Sequence, residues 1–394
     1  MDRRIATITK TTSTGILAML GLMLAHFIND LYANFLPVYI PLLREKFTLS
    51  FTLIALLSSV FTVAASFFQL LFGHLADRFS CWPFVLLGPL FTGAFMSLVG
   101  VLPGYGFILG ALLLSALGTA MFHPQATALS GRLFQGRRGL NVSLFIGAGM
   151  LGFSIGPAIM ALLLQHWGLA ASPIALVPLA ILGLALWLVL RDLPYGRLQD
   201  RPAYSESEDP PTPIAPLALL WGLVVLRHAV LLSFMTFLII LLEGRGLGYL
   251  AGSLSLVGFL LVSAPAGIVG GHLSDRFGRW PVTIWTLWLG FLAMLGFLAA
   301  RDVLSFIFLL LGGALLSASN PVIVAHAQEL LPHRASTASA LVMGVAWGVG
   351  GLLISLVGVL ADAWNIERAL WLTTLIAFAS TVVLTLMGRR TLSG

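Results

Sequence analysis

The chain has 394 residues, 59% of them hydrophobic and only 9% charged, with a formal net charge of +6. Ordinary soluble domains carry about 25% charged residues, because an aqueous exterior needs polar side chains, so this composition excludes a soluble globular protein. The basic residues lie at the ends of apolar runs and not along one face or tail, which argues against nucleic acid as a partner.

A bilayer is the apolar solvent that such a chain requires. Each crossing needs about 20 apolar residues in a helix, since an unpaired backbone group is too costly in lipid. Long solid apolar runs, without alternating polarity, exclude a transmembrane β-barrel. In chain order the runs predict helices over 15–43, 50–76, 82–102, 106–132, 138–165 and 172–190, then over 216–242, 249–274, 280–300, 303–331, 335–361 and 367–388. The turn Pro103-Gly104-Tyr105-Gly106 separates the third helix from the fourth, and a break near 165–173 separates the fifth from the sixth. The first apolar run is too long for a cleaved signal peptide and has no small-residue cleavage site after it. Cys81 is the single cysteine and forms no internal disulfide.

The segment from Arg191 to Pro216 holds six prolines and the run Ser205-Glu206-Ser207-Glu208-Asp209, a linker composition. It predicts a division into bundles at 1–190 and 216–394, with a cytoplasmic linker at 191–215. With the N-terminus inside, fifteen of the 21 lysines and arginines fall on the cytoplasmic side and five outside, Arg227 lying within a helix. The positive-inside rule therefore expects both termini in the cytoplasm.

A duplication runs through the chain. Gly73-His74-Leu75-Ala76-Asp77-Arg78-Phe79-Ser80-Cys81-Trp82-Pro83 recurs as Gly271-His272-Leu273-Ser274-Asp275-Arg276-Phe277-Gly278-Arg279-Trp280-Pro281, an offset of 198 residues. Pro124 and Pro321, Arg137 and Arg334, and Gly147 and Gly344 are related by the same shift or one residue less. Parallel repeats of this kind place a substrate site at the repeat interface and transport by rocking.

Both copies of G-H-L-x-D-R-F resemble the cytoplasmic loop motif of the major facilitator superfamily. That resemblance implies an all-α fold of twelve transmembrane helices in two pseudo-symmetric bundles. It also implies gating roles for Asp77, Arg78, Asp275, Arg276 and Arg279, with Asp77 capping helix 11 near Ser336 and Asp275 capping helix 5 near Leu140. The first copy has Cys81 where the second keeps Arg279. His26-Phe27-Ile28-Asn29-Asp30, Phe122-His123-Pro124-Gln125 and Ala327-Gln328-Glu329-Leu330-Leu331-Pro332 resemble the fosmidomycin-resistance-type exporters over most of the chain. That family typically ends the second motif in Glu, whereas Gln125 here carries no proton.

A charge at the bilayer centre costs about 2.5–3.5 kcal/mol on insertion scales, so it persists where it is paired or functional. Asp30 and Arg227 occupy equivalent places, 197 residues apart. In the superfamily the first, fourth, seventh and tenth helices line the cavity, which implies that this pair faces the substrate path. Arg227 suits an anionic group; an anion competing for it would let Asp30 take up a proton. His26, one turn before Asp30, is placed to relay that proton. Asn29, His123, Gln125, His228, Asn320, His326 and Gln328 supply further polar contacts, with helix-to-helix hydrogen bonding the alternative for each histidine. Glu329, related to Arg132 by the repeat, reads as a gate pair with it or as an unpaired interfacial carboxylate. The glycines of helices 5 and 11 read as close packing.

No Walker-type loop, nucleophile elbow or metal-ligand cluster is visible, so neither cofactor nor metal is expected, and catalysis and ATP-driven pumping are both disfavoured. The expected protein is a monomeric proton-coupled exporter of a small anionic or amphipathic compound in a bacterial inner membrane. An importer of a small metabolite, a lipid flippase and a non-transporting scaffold or sensor are the competing readings.

Overall fold

A computed structural model describes residues 2–78, 83–130, 138–191, 214–331 and 335–392, with side chains for 15–75, 83–130, 143–189, 191, 214–331 and 337–387. The described residues are helical and contain no strand. Twelve helices are long and apolar enough to cross a membrane: α1 (Gly15–Phe47), α2 (Phe51–Leu75), α3 (Pro83–Val101), α4 (Tyr105–Ser130), α5 (Ser143–Trp167), α6 (Leu169–Val189), α7 (Ile214–Gly244), α8 (Tyr249–Phe277), α9 (Arg279–Ala299), α10 (Asp302–Leu330), α11 (Thr337–Ala363) and α12 (Ile366–Met387). The shortest, with 19 residues, is about 28 Å long at 1.5 Å per residue, which matches a hydrocarbon core of about 30 Å.

Several crossings depart from the uniform helices expected: the third ends in a 3₁₀ turn, Val99–Val101, and the eighth is interrupted at Val262 between Tyr249–Leu261 and Ser263–Phe277. The first crossing is two helical pieces, Asp2–Ala33 and Leu36–Phe47, joined at Asn34-Phe35. Pro37 stands in the first turn of the second piece, where its missing N–H costs nothing, and Asn34 donates to the Phe153 carbonyl at 2.6 Å. The sixth crossing begins earlier than expected, as a 3₁₀ segment Leu169–Ala175. The turn before it depends on Gly168, at φ 68°, which a Cβ would disfavour. The eleventh contains a π-helical turn, Ala340–Val345.

The chain forms two compact units: residues 1–39 with 67–204, and residues 40–66 with 205–394. In the first unit α1 packs on α5 and α3, and α3 on α4. Glycine makes the first of these contacts possible. A Cβ on Gly152 would lie 2.2 Å from the Phe27 carbonyl oxygen, and one on Gly156 2.2 Å from that of Leu31. Small residues one turn apart let two backbones meet without a hydrophobic driving force between them. The linker expected at 191–215 falls almost wholly outside the described residues.

In the second unit α7 is buried nearly all round, as expected of a helix that is apolar on every face. It packs against α11 and α12, while α9 packs on α10. The first half of α2 belongs to this unit and lies on the glycine face of α11. A Cβ on Gly351 would meet Thr62, and one on Gly358 would meet Ala55 and Phe51. Asp362, at the end of α11, caps the start of α2. Its carboxylate accepts from the Phe51 and Thr52 amides at 2.7 and 2.9 Å and from the Thr52 hydroxyl at 2.6 Å. A carboxylate there meets the free donors and the positive end of the helix dipole.

Replacing Gly152 by Ala is expected to destabilise the fold by about 1–3 kcal/mol through overpacking. Gly147→Ala, whose added Cβ meets nothing within 4 Å, is expected to be neutral. Thermal unfolding of both variants in detergent measures the difference; equal unfolding temperatures would refute the close-packing account.

Candidate functional site

The HFIND segment folds as helix, which sets His26 and Asp30 one turn apart on a single face. His26 Nε2 lies 3.1 Å from Asp30 Oδ2. His123 on α4 reaches the other carboxylate oxygen, with Nε2 3.5 Å from Oδ1. The sequence alone did not bring His123 to this carboxylate, because the two residues are 93 positions apart on different helices. Pro124, beside His123, has no N–H to close the helical ladder one turn back.

A second layer of contacts orients the three side chains. His26 Nδ1 donates to the Phe145 carbonyl at 2.8 Å, and its ring stacks on Phe145 with centroids 4.1 Å apart. Gly149 faces the same ring, and a Cβ there would lie 2.3 Å from Nε2. The Asn29 amide donates to Asp30 Oδ1 at 2.9 Å and approaches His123 Nε2 at 3.4 Å. Its carbonyl oxygen in turn accepts from the Thr92 hydroxyl at 3.0 Å. The side chain of His26 is 7% exposed and that of Asp30 16%, whereas that of His123 is 25% exposed. One edge of the cluster is therefore reachable.

The second unit holds the opposite chemistry. Arg227 donates through Nε to the Leu316 carbonyl at 2.7 Å and through Nη1 to Asn320 Oδ1 at 3.4 Å. Nη1 also meets His228 Nε2 at 3.0 Å. A guanidinium only donates, so His228 Nε2 accepts, and a neutral ring then carries its proton on Nδ1. That buried Nδ1 has no hydrogen-bond partner among the described residues. Trp347 stands edge-on to the same ring at 4.9 Å. Arg227 and His228 are 4% and 2% exposed, so this is a buried set of donors. Asp30 and Arg227 each find polar partners inside their own unit.

The remaining sequence expectations divide. Gln125 is buried on α4. His326 stands edge-on to Trp280, and Gln328 donates to the Ser339 hydroxyl at 2.8 Å. In the second loop motif Arg279 binds Asp275 at 2.5 Å, the Ser274 hydroxyl at 2.6 Å and Glu329 at 3.0 Å. Glu329 thus has Arg279 as its partner; Arg132, which the repeat suggested, lies outside the described residues. So do the side chains of Asp77 and Arg78. Arg276 lies over the Phe277 ring at 5.5 Å. Two networks had not been singled out: the Asp362 cap, and a buried Arg245 that donates to the Phe297 and Leu298 carbonyls and pairs with Glu367 at 2.6 Å. Arg301 meets the same Glu367 oxygen at 3.1 Å. Arginines beside loops read as surface charge in a sequence, and nothing local marks them as clasps.

The family model for the Major Facilitator Superfamily matches residues 22–355. The chain belongs to the major facilitator superfamily. Among its members, the fosmidomycin resistance protein of Escherichia coli (strain K12) is 30% identical over 373 residues, covering 90% of this chain and 88% of that protein. An uncharacterized MFS-type transporter of Bacillus subtilis (strain 168), YfnC, is 26% identical over 372 residues with the same coverage. Solved structures share the fold: a bacterial homologue of the human lysosomal transporter Spinster, inward-facing and occupied, has a TM-score of 0.76 at 16% identity, covering 95% of this chain and 96% of its own. A mutant of the nucleoside transporter NupG has a TM-score of 0.73 at 15% identity, covering 94% and 98%. This major facilitator protein is a multi-pass membrane transporter of small molecules and not an enzyme.

The donor set in the second unit predicts anion binding. An oxyanion at 100 times its Kd would stabilise the protein by about 2.7 kcal/mol. Thermal shift with inorganic phosphate is expected to show stabilisation in the wild type, less in His228→Phe and none in Arg227→Gln. An undiminished shift in Arg227→Gln would rule out this anchor.

Proposed function

We propose that this transporter is a proton-coupled exporter of a small anionic or amphipathic compound, acting as a monomer in a bacterial inner membrane with both termini cytoplasmic. The halves 1–190 and 216–394 rock about the segment 191–215, as parallel repeats do. The observation that carries the reading is the Asp30 carboxylate held between two imidazoles inside the membrane. His26 Nδ1 donates outward to Phe145, so in the neutral ring Nε2 presents a lone pair to a carboxylate oxygen at 3.1 Å. Two lone pairs at that distance repel unless a proton lies between them. The cluster is therefore built to hold a proton and has an exposed edge through which to exchange it.

Arg227 and His228 hold the anion. Proton and anion are coupled because each binds one conformation better than the other, so each shifts the same equilibrium. The loop motifs with Asp77, Arg78, Asp275, Arg276 and Arg279, and the residues Arg132 and Glu329, form the cytoplasmic gate in this reading. The name of the Escherichia coli relative makes fosmidomycin the first compound to test, and export is the direction that resistance requires.

Inverted vesicles under an imposed pH gradient provide the test. Asp30→Asn is expected to lower gradient-driven fosmidomycin uptake about tenfold or more while substrate exchange without a gradient persists. Arg227→Gln is expected to lose both. Gradient-driven uptake at the wild-type rate in Asp30→Asn would overturn the coupling role of the cluster.

A further inference from the structure

The His26–Asp30–His123 cluster has a second capacity, which the absence of any metal-ligand spacing in the sequence concealed. Its three ligand atoms lie within 4.8 Å of one another. Tetrahedral zinc at 2.0–2.1 Å from its ligands requires them to stand about 3.3 Å apart. The imidazoles stand near that distance from the carboxylate, His26 Nε2 3.1 Å from Oδ2 and His123 Nε2 3.5 Å from Oδ1, so small side-chain shifts bring both nitrogens and one oxygen onto a metal.

An outer contact turns one imidazole lone pair toward the carboxylate. His26 gives its Nδ1 proton to the Phe145 carbonyl, which leaves Nε2 free to coordinate. The Asn29 amide donates to Asp30 Oδ1 at 2.9 Å and lies 3.4 Å from His123 Nε2, which shows that nitrogen as an acceptor; a bound metal would take the place of that second contact. Thr92 fixes that amide by donating to its oxygen. An imidazole whose distal nitrogen donates to a carbonyl, beside a carboxylate that is itself hydrogen-bonded, is the outer-shell pattern of metal-binding histidines. Two imidazoles and one carboxylate suit divalent first-row metals and leave further coordination positions open.

We infer that this cluster binds a divalent transition metal such as Zn²⁺, with His26 Nε2, His123 Nε2 and one Asp30 oxygen as ligands and an open position on the exposed side of His123. The metal takes the place of the coupling proton but does not require that coupling, so the two readings stand or fall separately.

The test is isothermal titration of ZnCl₂ into purified full-length protein, free of any histidine tag, in detergent. The wild type is expected to bind one Zn²⁺ per chain saturably. Asp30→Asn and His123→Gln are each expected to weaken binding about tenfold or more, and His166→Gln, a change at an exposed histidine on α5, to leave it unchanged. If Asp30→Asn does not fold, His123→Gln carries the test, because its ring sits at the exposed edge. Co²⁺ titration adds a second readout: a tetrahedral visible absorption in the wild type that is missing in His123→Gln. Absence of saturable zinc binding, or equal affinity in the wild type and both ligand variants, overturns the inference. Zinc binding that persists in a protein without gradient-driven transport supports the metal site and removes the proton reading. Intact gradient-driven transport without zinc binding does the reverse.

Discussion

A carboxylate inside a membrane has to be compensated, and the way Asp30 is compensated organises the first unit. Its ionisable partners among the described residues of that unit are the imidazoles of His26 and His123. The surrounding structure serves that arrangement. Gly149, Gly152 and Gly156 bring α5 against α1 so closely that the Phe145 carbonyl can accept from His26. Thr92 and Asn29 connect α3 to the same carboxylate. A largely buried polar network of this kind is stable only while its buried members are satisfied.

The second unit solves the opposite problem with Arg227. Its guanidinium is met by a backbone carbonyl, an amide oxygen and an imidazole nitrogen, all neutral acceptors. Neutral acceptors satisfy the donors without cancelling the charge, so the site keeps its attraction for an anion. The duplicated halves thus hold unlike chemistry at equivalent positions: an acceptor cluster in one and a donor cluster in the other.

Much of this was legible in the sequence. Apolar runs broken by Pro103-Gly104 and by the region around Gly168 placed all twelve helices within a few residues, because a bilayer makes hydropathy nearly sufficient. The i, i+4 spacing of His26 and Asp30 is a helix-face relation and needed no coordinates. Contacts between helices were not legible in the same way. Nothing local says that His123 closes on Asp30, that Glu329 pairs with Arg279, or that Asp362 caps a helix starting 311 residues earlier. The repeat suggested Arg132, which lies outside the described residues, for Glu329, and said nothing of Arg279, which meets it. The break at Asn34-Phe35 does carry local signals, Asn34 and Pro37, but the apolar residues on either side make the stretch read as a single crossing.

The central claim is that Asp30 changes its protonation during the transport cycle, and infrared difference spectroscopy reads that change at the carboxyl group itself. In membranes of the wild-type protein, adding substrate should produce a difference band of a protonated carboxylic acid, and that band should be missing in Asp30→Asn. A substrate-induced spectrum with no carboxylic acid band, or the same band in the variant, would contradict the account.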